Sequence, residues 1–127
     1  MKILLVDDSR TMRNIQMKIL SDMIPGSEFG EAGDGVEALD VIGKTPGGFE
    51  LVLVDWNMPN MDGLTLVQKI RTTDKKTLLV MVTTEAEKTR VIEAIKAGVN
   101  NYVIKPFTPE TLTEKVRGTI EKLKAAA

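Results

Sequence analysis

The stretch Leu51-Val52-Leu53-Val54-Asp55 is a run of four aliphatic residues that leads directly into a carboxylate. A continuous aliphatic run of this length is typical of a strand that is buried on both faces, as in the middle of a parallel sheet. The carboxylate that follows indicates that the strand ends at a polar edge. The run therefore predicts a central strand from Leu51 to Asp55, with Asp55 at the edge of the sheet.

Four other segments of the chain have the composition of strands, and each is followed by a helical pattern. They are Ile3 to Asp7, Glu28 to Ala32, Leu78 to Thr83 and Asn101 to Ile104. Strands that alternate with helices predict a parallel sheet covered by helices on both faces. We therefore expect an α/β fold, a flavodoxin-like doubly wound (βα)5 domain whose parallel five-stranded sheet has the order 2-1-3-4-5. Its ligands should bind between the first and third strands.

The predicted helix starts are marked by side chains that can accept hydrogen bonds from the free amides of a first turn. These are Ser9, Asp34 with Glu37, Asp62, Thr84 with Glu87, and Thr108 before Pro109. The predicted helix ends are at Pro25-Gly26, Pro46-Gly47-Gly48 and Gly98, and the last helix runs from Pro109 into the terminal alanines.

The composition limits the chemistry that the chain can perform. Its 127 residues suffice for one compact domain, predicted to span residues 1–127. The 17 basic and 18 acidic side chains leave a net charge of -1, so binding to nucleic acid or to a membrane is not expected. No apolar run has the length of a membrane span, and we expect a cytoplasmic location. The lack of cysteine and histidine leaves carboxylates, hydroxyls and lysines to carry any chemistry.

Three carboxylates are predicted to converge at the carboxyl edge of the sheet. Asp7 and Asp8 follow the first strand and Asp55 ends the third, and these strands are neighbours in the predicted order. Such crowded carboxylates repel one another unless a cation is present. Because only oxygen ligands are available, the sequence favours Mg²⁺ or Mn²⁺ over zinc or copper, and Mg²⁺ is preferred. Thr83 ends the fourth strand and Lys105 follows the fifth at the same edge, which predicts a phosphoryl site.

In four stretches the chain resembles the CheY-type chemotaxis response regulators, which are single receiver domains of two-component signalling. The stretches are Val6-Asp7-Asp8-Ser9, Asp55-Trp56-Asn57-Met58-Pro59-Asn60-Met61-Asp62-Gly63, Met81-Val82-Thr83 and Tyr102-Val103-Ile104-Lys105-Pro106-Phe107. The Asp, Thr and Lys elements are similar to receivers in general. The runs that begin at Trp56 and Tyr102 are similar to the chemotaxis branch.

The resemblance implies a phosphorylation site with a bound metal. Asp55 would be the phosphoacceptor. Asp8 and Asp55 would ligate Mg²⁺ together with the main-chain carbonyl of Asn57, and Asp7 would reach the metal through water. These roles agree with the pocket expected from the strand ends.

The same resemblance implies roles for residues around the phosphoryl group. Thr83 and Lys105 would bind its oxygens, and the bond between Lys105 and Pro106 would be cis. Asn57 and Glu85 would tune the rate of dephosphorylation. Thr84 departs from the family, in which many members have a smaller residue such as alanine, so access of the phosphoryl donor is expected to differ.

The resemblance also implies partners and an output surface. A chemotaxis histidine kinase would donate the phosphoryl group, the phosphorylated form would bind the flagellar motor switch protein, and a dedicated phosphatase could remove the group. The chain would act as a monomer and as a signalling switch rather than as an enzyme, with only Mg²⁺-dependent self-phosphorylation and autodephosphorylation. The expected switch and partner surface consists of Tyr102, Val91, Val99 and Lys115.

Three other interpretations fit parts of the sequence. A phosphatase of the haloacid-dehalogenase kind would have an aspartate two residues after its nucleophile, but the chain has Asn57 there, which cannot protonate a leaving group. A flavin mononucleotide carrier would need a phosphate-binding loop after the first strand, where Asp7 and Asp8 would repel the phosphate. A receiver with another output, such as a phosphate sink, would have the same pocket, and this alternative stays open.

Overall fold

The computed structural model describes residues 1–126 and contains five strands, each followed by a helix. The strands are β1 (Lys2–Val6), β2 (Glu28–Ala32), β3 (Leu51–Val54), β4 (Leu78–Thr83) and β5 (Asn101–Ile104). The helices are α1 (Arg10–Met23), α2 (Gly35–Lys44), α3 (Gly63–Thr73), α4 (Lys88–Ala97) and α5 (Pro109–Ala126). Neighbouring strands pair in parallel in the order β2-β1-β3-β4-β5. The predicted fold class and strand order are confirmed, and Ala127, the end of the predicted domain, lies outside the described residues.

The acidic residues lie just beyond two strands that were predicted to include them. β1 ends at Val6 and β3 ends at Val54, so Asp7 and Asp55 are the first residues after their strands. The backbone nevertheless stays attached to the sheet, because the Asp55 amide donates a 2.9 Å hydrogen bond to the Val6 carbonyl. This attachment fixes where the Asp55 side chain begins.

Two hydrophobic clusters lie on opposite faces of the sheet. On one face, alternate residues of the central strands such as Val52 and Val54 pack with Leu66 of α3 and Ala94 of α4. On the other face, the intervening strand residues pack with Leu20 of α1 and with Leu112 and Val116 of α5. All four residues of β3 are buried. The prediction that the aliphatic runs form strands buried on both faces is therefore confirmed.

Most of the predicted helix caps are present. Ser9, Asp34 and Asp62 each accept a hydrogen bond from an amide in the first turn of the following helix. Thr108 does the same for the Thr111 amide at the start of α5. Gly98 ends α4 as predicted.

The predicted start of α4 at Thr84 is wrong. The helix begins at Lys88, and its cap residue, Glu87, makes no side-chain cap hydrogen bond. The segment before it is held in a non-helical conformation, because the Tyr102 hydroxyl donates a 2.6 Å hydrogen bond to the main-chain carbonyl of Glu85. A tertiary contact therefore overrides the local capping signal.

No helix within residues 1–126 combines the length and the apolar composition that crossing a membrane requires.

Candidate functional site

The three predicted carboxylates meet at the carboxyl edge of the sheet. One carboxylate oxygen from each of Asp7, Asp8 and Asp55 lies within 4.8 Å of the others. Asp7 and Asp55 are buried, with 1% and 7% of their surface exposed, whereas Asp8 is exposed. The parallel pairing of β1 with β3 produces this arrangement, because it places the loops that follow both strands side by side.

Lys105 is the cation of the cluster. Its Nζ donates hydrogen bonds to Asp7 Oδ2 at 2.9 Å and to Asp55 Oδ2 at 3.0 Å. Burial acts to lower the pKa of Lys105, but the hydrogen bonds and charges of the two carboxylates outweigh burial and raise the pKa. The ammonium therefore stays charged at neutral pH. The bond between Lys105 and Pro106 is cis, as the resemblance implies.

The other oxygens of the two buried carboxylates accept main-chain hydrogen bonds. Asp7 Oδ1 accepts from the Ser9 amide at 2.8 Å, and Asp55 Oδ1 accepts from the Trp56 amide at 2.7 Å. Burial raises the pKa of the Asp7 carboxyl, and the hydrogen bonds from Ser9 and Lys105 offset only part of that rise. The main-chain hydrogen bonds, together with those from Lys105, hold both carboxylates in defined orientations.

The residues of the cluster suit a hard divalent cation. Three carboxylates and one ammonium together carry a formal charge of -2, which one divalent ion would balance. The donors are oxygen atoms, and the chain contains no histidine or cysteine that would favour zinc. Carboxylate oxygens that already accept one hydrogen bond keep a second lone pair for a metal. The donor set therefore fits Mg²⁺.

A second group of predicted residues meets around Glu85. The Glu85 amide donates a 3.3 Å hydrogen bond to the hydroxyl of Thr83, which is fully buried. The Asn57 side chain donates to the Glu85 carboxylate at 3.1 Å, and the Tyr102 hydroxyl donates to the Glu85 carbonyl. The structure thus connects both residues predicted to tune dephosphorylation with the predicted threonine and tyrosine.

Tyr102 points inward in this structure, with 8% of its surface exposed. Burial, together with the nearby charge of Glu85, raises the pKa of the Tyr102 phenol to about 12. The phenol is therefore neutral at physiological pH and can donate its hydrogen bond to the segment that precedes α4.

The predicted partner surface is only partly at the surface. Lys115 is exposed and Val91 is half-buried, but Val99 is 5% exposed and packs in the core. The prediction that Val99 lies on the surface is therefore wrong. The reason is the tight end of α4, where the Val99 amide donates a 3.2 Å hydrogen bond to Ala94 and the side chain turns into the core.

Sequence reasoning missed the apolar side chains that are exposed on this side of the molecule. Ile92 and Ile95 of α4 and Ile104 of β5 are 42%, 55% and 46% exposed. A signal was present, because the apolar positions of α4 are too many for one buried stripe of a helix.

Sequence reasoning also missed an aromatic contact beside Asp55. The guanidinium of Arg90 lies 5.1 Å from the centre of the Trp56 ring, and Trp56 is 4% exposed. This cation–π contact connects the first turn of α4 to the residue that follows Asp55.

We compared the sequence and the structure of the chain with those of known proteins. The family model "Response regulator receiver domain" matches residues 3–117. The chain is 47% identical over 122 residues to a chemotaxis protein CheY homolog of Campylobacter jejuni, which covers 94% of this chain and 92% of that protein. It is 48% identical over 121 residues to chemotaxis protein CheY1 of Helicobacter pylori, with coverages of 91% and 94%. The solved structure of chemotaxis response regulator CheY4 of Vibrio cholerae has a TM-score of 0.83 at 35% identity and covers 93% of this chain and 97% of that chain. The chain therefore belongs to the response regulator receiver family of two-component signalling and is similar to its CheY-type members.

Proposed function

We propose that the chain is a phosphorylation-activated switch in chemotaxis, in which Asp55 accepts a phosphoryl group from a histidine kinase in a Mg²⁺-dependent reaction. The observation that carries the proposal is the contact of one ammonium, that of Lys105, with both Asp7 and Asp55 inside a cluster of three carboxylates. The relatives named above, which are chemotaxis proteins, support the same assignment.

The proposed reaction is transfer of the phosphoryl group to a carboxylate oxygen of Asp55. That oxygen attacks phosphorus, the bond from phosphorus to the donor nitrogen breaks, and the donor imidazole keeps the electron pair and takes up a proton. The product is an aspartyl phosphate, which carries about one more negative charge than the carboxylate. Transfer of this kind depends mainly on positioning and on compensation of charge.

Residues of the chain would provide both the positioning of the phosphoryl group and the compensation of its charge. Asp7, Asp8, Asp55 and the main-chain carbonyl of Asn57 would hold Mg²⁺, which supplies positive charge to the phosphoryl oxygens when it is bound. Lys105 lies at Asp55 and would contact one of the new oxygens. The buried Thr83 hydroxyl would contact another, and it is linked through Glu85 to Tyr102.

The proposed output is binding of the phosphorylated form to the flagellar motor switch protein. The exposed isoleucines of α4 and β5, the elements that contain Val91 and Tyr102, support a protein-binding surface on these two elements. We expect beryllofluoride, which mimics the acyl phosphate, to tighten binding to a motor-switch peptide by roughly 5- to 30-fold. Unchanged affinity would favour the phosphate-sink alternative.

Phosphoryl uptake from acetyl phosphate tests the core of the proposal. Intact mass should show one Mg²⁺-dependent phosphoryl group on the wild-type protein, which EDTA prevents. Asp55→Asn should abolish uptake, whereas Asp22→Asn, at an exposed position of α1, should leave it unchanged. Uptake that persists in Asp55→Asn protein would contradict the assignment of Asp55.

A further inference from the structure

The loop between β3 and α3 contains Asp55 and Asn57, two residues that would hold the metal. Main-chain hydrogen bonds hold the two ends of this loop, one bond to the sheet and one between the two ends. The Asp55 amide donates to Val6, and the Gly63 amide donates a 2.8 Å hydrogen bond to the Trp56 carbonyl. The tip of the loop, Asn57 to Asp62, extends beyond these contacts.

This tip is attached to the start of α2. The Asn60 side-chain amide donates a 2.7 Å hydrogen bond to Asp34 Oδ2, and the Gly35 amide donates to the Met61 carbonyl at 3.3 Å. A Cβ atom at Gly35 would lie 2.8 Å from Met61 Cβ, so the Met61 side chain packs directly against the backbone of Gly35. Two consecutive residues of the loop are therefore held by two consecutive residues at the start of a helix.

Asn60 has a backbone conformation that depends on such support. Its φ is 67°, and the Met61 amide donates a 2.7 Å hydrogen bond to the Pro59 carbonyl, which closes a tight three-residue turn around Asn60. A positive φ in a residue other than glycine costs free energy and persists where neighbouring contacts hold it. Asp34 provides such a contact.

One carboxylate thus joins a helix to a loop. Asp34 Oδ1 accepts from the Glu37 amide at 2.8 Å and caps α2, while Oδ2 accepts from Asn60. The hydrogen bond from Glu37, followed by that from Asn60, lowers the pKa of Asp34, so the carboxylate is charged at neutral pH. A capped helix that packs on the sheet through buried Ala38 is a rigid support for the loop.

We propose that Asp34 is a positioning residue for the phosphorylation site, which acts through Asn60 to hold the β3–α3 loop with the main-chain carbonyl of Asn57 ready to bind Mg²⁺. The inference rests on the proposed function, because it concerns the metal site of that function. A loop that is ordered before the metal binds loses less conformational entropy on binding, and its affinity for the metal is higher for that reason.

Asp34→Asn separates the two roles of Asp34. The variant keeps an oxygen that can cap the Glu37 amide, but it replaces the charged acceptor of the Asn60 NH₂ group with a neutral amide, so the charge-assisted hydrogen bond between helix and loop is lost. Exchanging the pair, Asp34→Asn with Asn60→Asp, again sets a donor against an acceptor and restores the wild-type net charge. Aspartate and asparagine both tolerate a positive φ, so the exchange suits the turn.

Asp40→Asn is the matched control. It removes the same charge from an exposed position of the helix that Asp34 caps, where Asp40 pairs with Lys44 at 3.0 Å. A change in Mg²⁺ affinity that comes only from the lower net negative charge of the protein would occur in both variants.

Two measurements on the full chain test the inference. Mg²⁺ affinity is obtained from the fluorescence of Trp56, the only tryptophan in the chain, and amide hydrogen exchange of residues 57–62 is followed without metal. Asp34→Asn should weaken Mg²⁺ affinity roughly 5-fold and speed exchange by about the same factor, as for loss of one hydrogen bond. The exchanged pair should restore both within about 2-fold of wild type, and Asp40→Asn should match wild type.

The outcomes separate failure of this inference from failure of the proposed function. Wild-type protein that does not respond to Mg²⁺ would overturn the proposed metal site. Wild-type and Asp34→Asn proteins that bind Mg²⁺ equally well, with equal exchange in the loop, would overturn the positioning role alone. An exchanged pair that binds as weakly as Asp34→Asn would also overturn it, because the hydrogen bond would then not be the cause.

Discussion

The ammonium of Lys105 donates a 3.0 Å hydrogen bond to the carboxylate of Asp55, 50 residues earlier in the chain. The same ammonium donates to Asp7 at 2.9 Å, so one half-buried cation compensates two buried carboxylates. This pairing holds the two acids together at the sheet edge. It also places a positive charge where an aspartyl phosphate would need one.

Lys105→Met removes this cation and keeps the size of the side chain. The free energy of unfolding without metal should fall by about 2 kcal/mol, because two buried carboxylates lose their partner. Mg²⁺ should bind more tightly, because the cluster becomes one unit more negative. Urea unfolding and Mg²⁺ titration measure the two effects, with Lys18→Met, at an exposed position of α1, as the control. Unchanged stability together with weaker Mg²⁺ binding would contradict the compensating role of Lys105.

Asp8→Asn changes the exposed member of the acidic cluster. Mg²⁺ affinity should fall about 10-fold or more because one charged ligand is lost. Stability without metal should change by less than about 0.5 kcal/mol, since the side chain is exposed. Titration of Trp56 fluorescence with Mg²⁺ checks the first expectation, and Asp40→Asn serves again as the control. Equal affinity in Asp8→Asn and wild-type protein would remove Asp8 from the metal site.

The Tyr102 phenol should titrate at high pH, with a midpoint near its pKa of about 12. The unfolded chain should titrate near pH 10, so the raised folded pKa favours the protonated phenol. The difference in pKa between the folded and the unfolded chain contributes to stability. This contribution is fully present below pH about 10 and is lost as the pH rises through about 12. Ultraviolet difference spectra report this group alone, because the chain contains one tyrosine. A folded-state midpoint near 10 would contradict the inward, hydrogen-bonded position.

Gly63→Ala tests the close approach of α3 to the site. A Cβ at Gly63 would lie 2.0 Å from the main-chain oxygen of Asp55, so the helix or the loop must shift. We expect a loss of about 3 kcal/mol or more in unfolding free energy. Gly43→Ala in α2, where a Cβ would meet nothing within 4 Å, should be neutral or stabilise the protein by up to about 1 kcal/mol. Equal stability of the two variants would contradict the described packing.

The central part of the fold could be predicted because its signals are local. Aliphatic runs such as Leu51 to Val54 specify strands that are buried on both faces, and Ser9 and Asp62 specify helix starts through their own side chains. The convergence of Asp7 and Asp55 followed from the strand order, since parallel strands place their carboxyl ends on one edge.

The remaining features depend on contacts between distant residues. The start of α4 was predicted wrongly because the Tyr102 hydroxyl holds Glu85 outside the helix. Arg90 contacts Trp56, and Asn60 donates a hydrogen bond to Asp34. Each contact joins two segments that are distant in the chain, and no sequence pattern indicates that these segments meet. Positions of this kind are fixed by packing of the whole domain and not by local propensity.

Chemical mapping of the phosphoryl group identifies the residue that accepts it. The wild-type protein is treated with acetyl phosphate and Mg²⁺, reduced with borohydride, which converts an aspartyl phosphate to homoserine, and analysed by peptide mass spectrometry. We expect homoserine at position 55 alone, and none when EDTA replaces Mg²⁺. Homoserine at position 7 or 8, or the same yield at position 55 without Mg²⁺, would contradict this expectation.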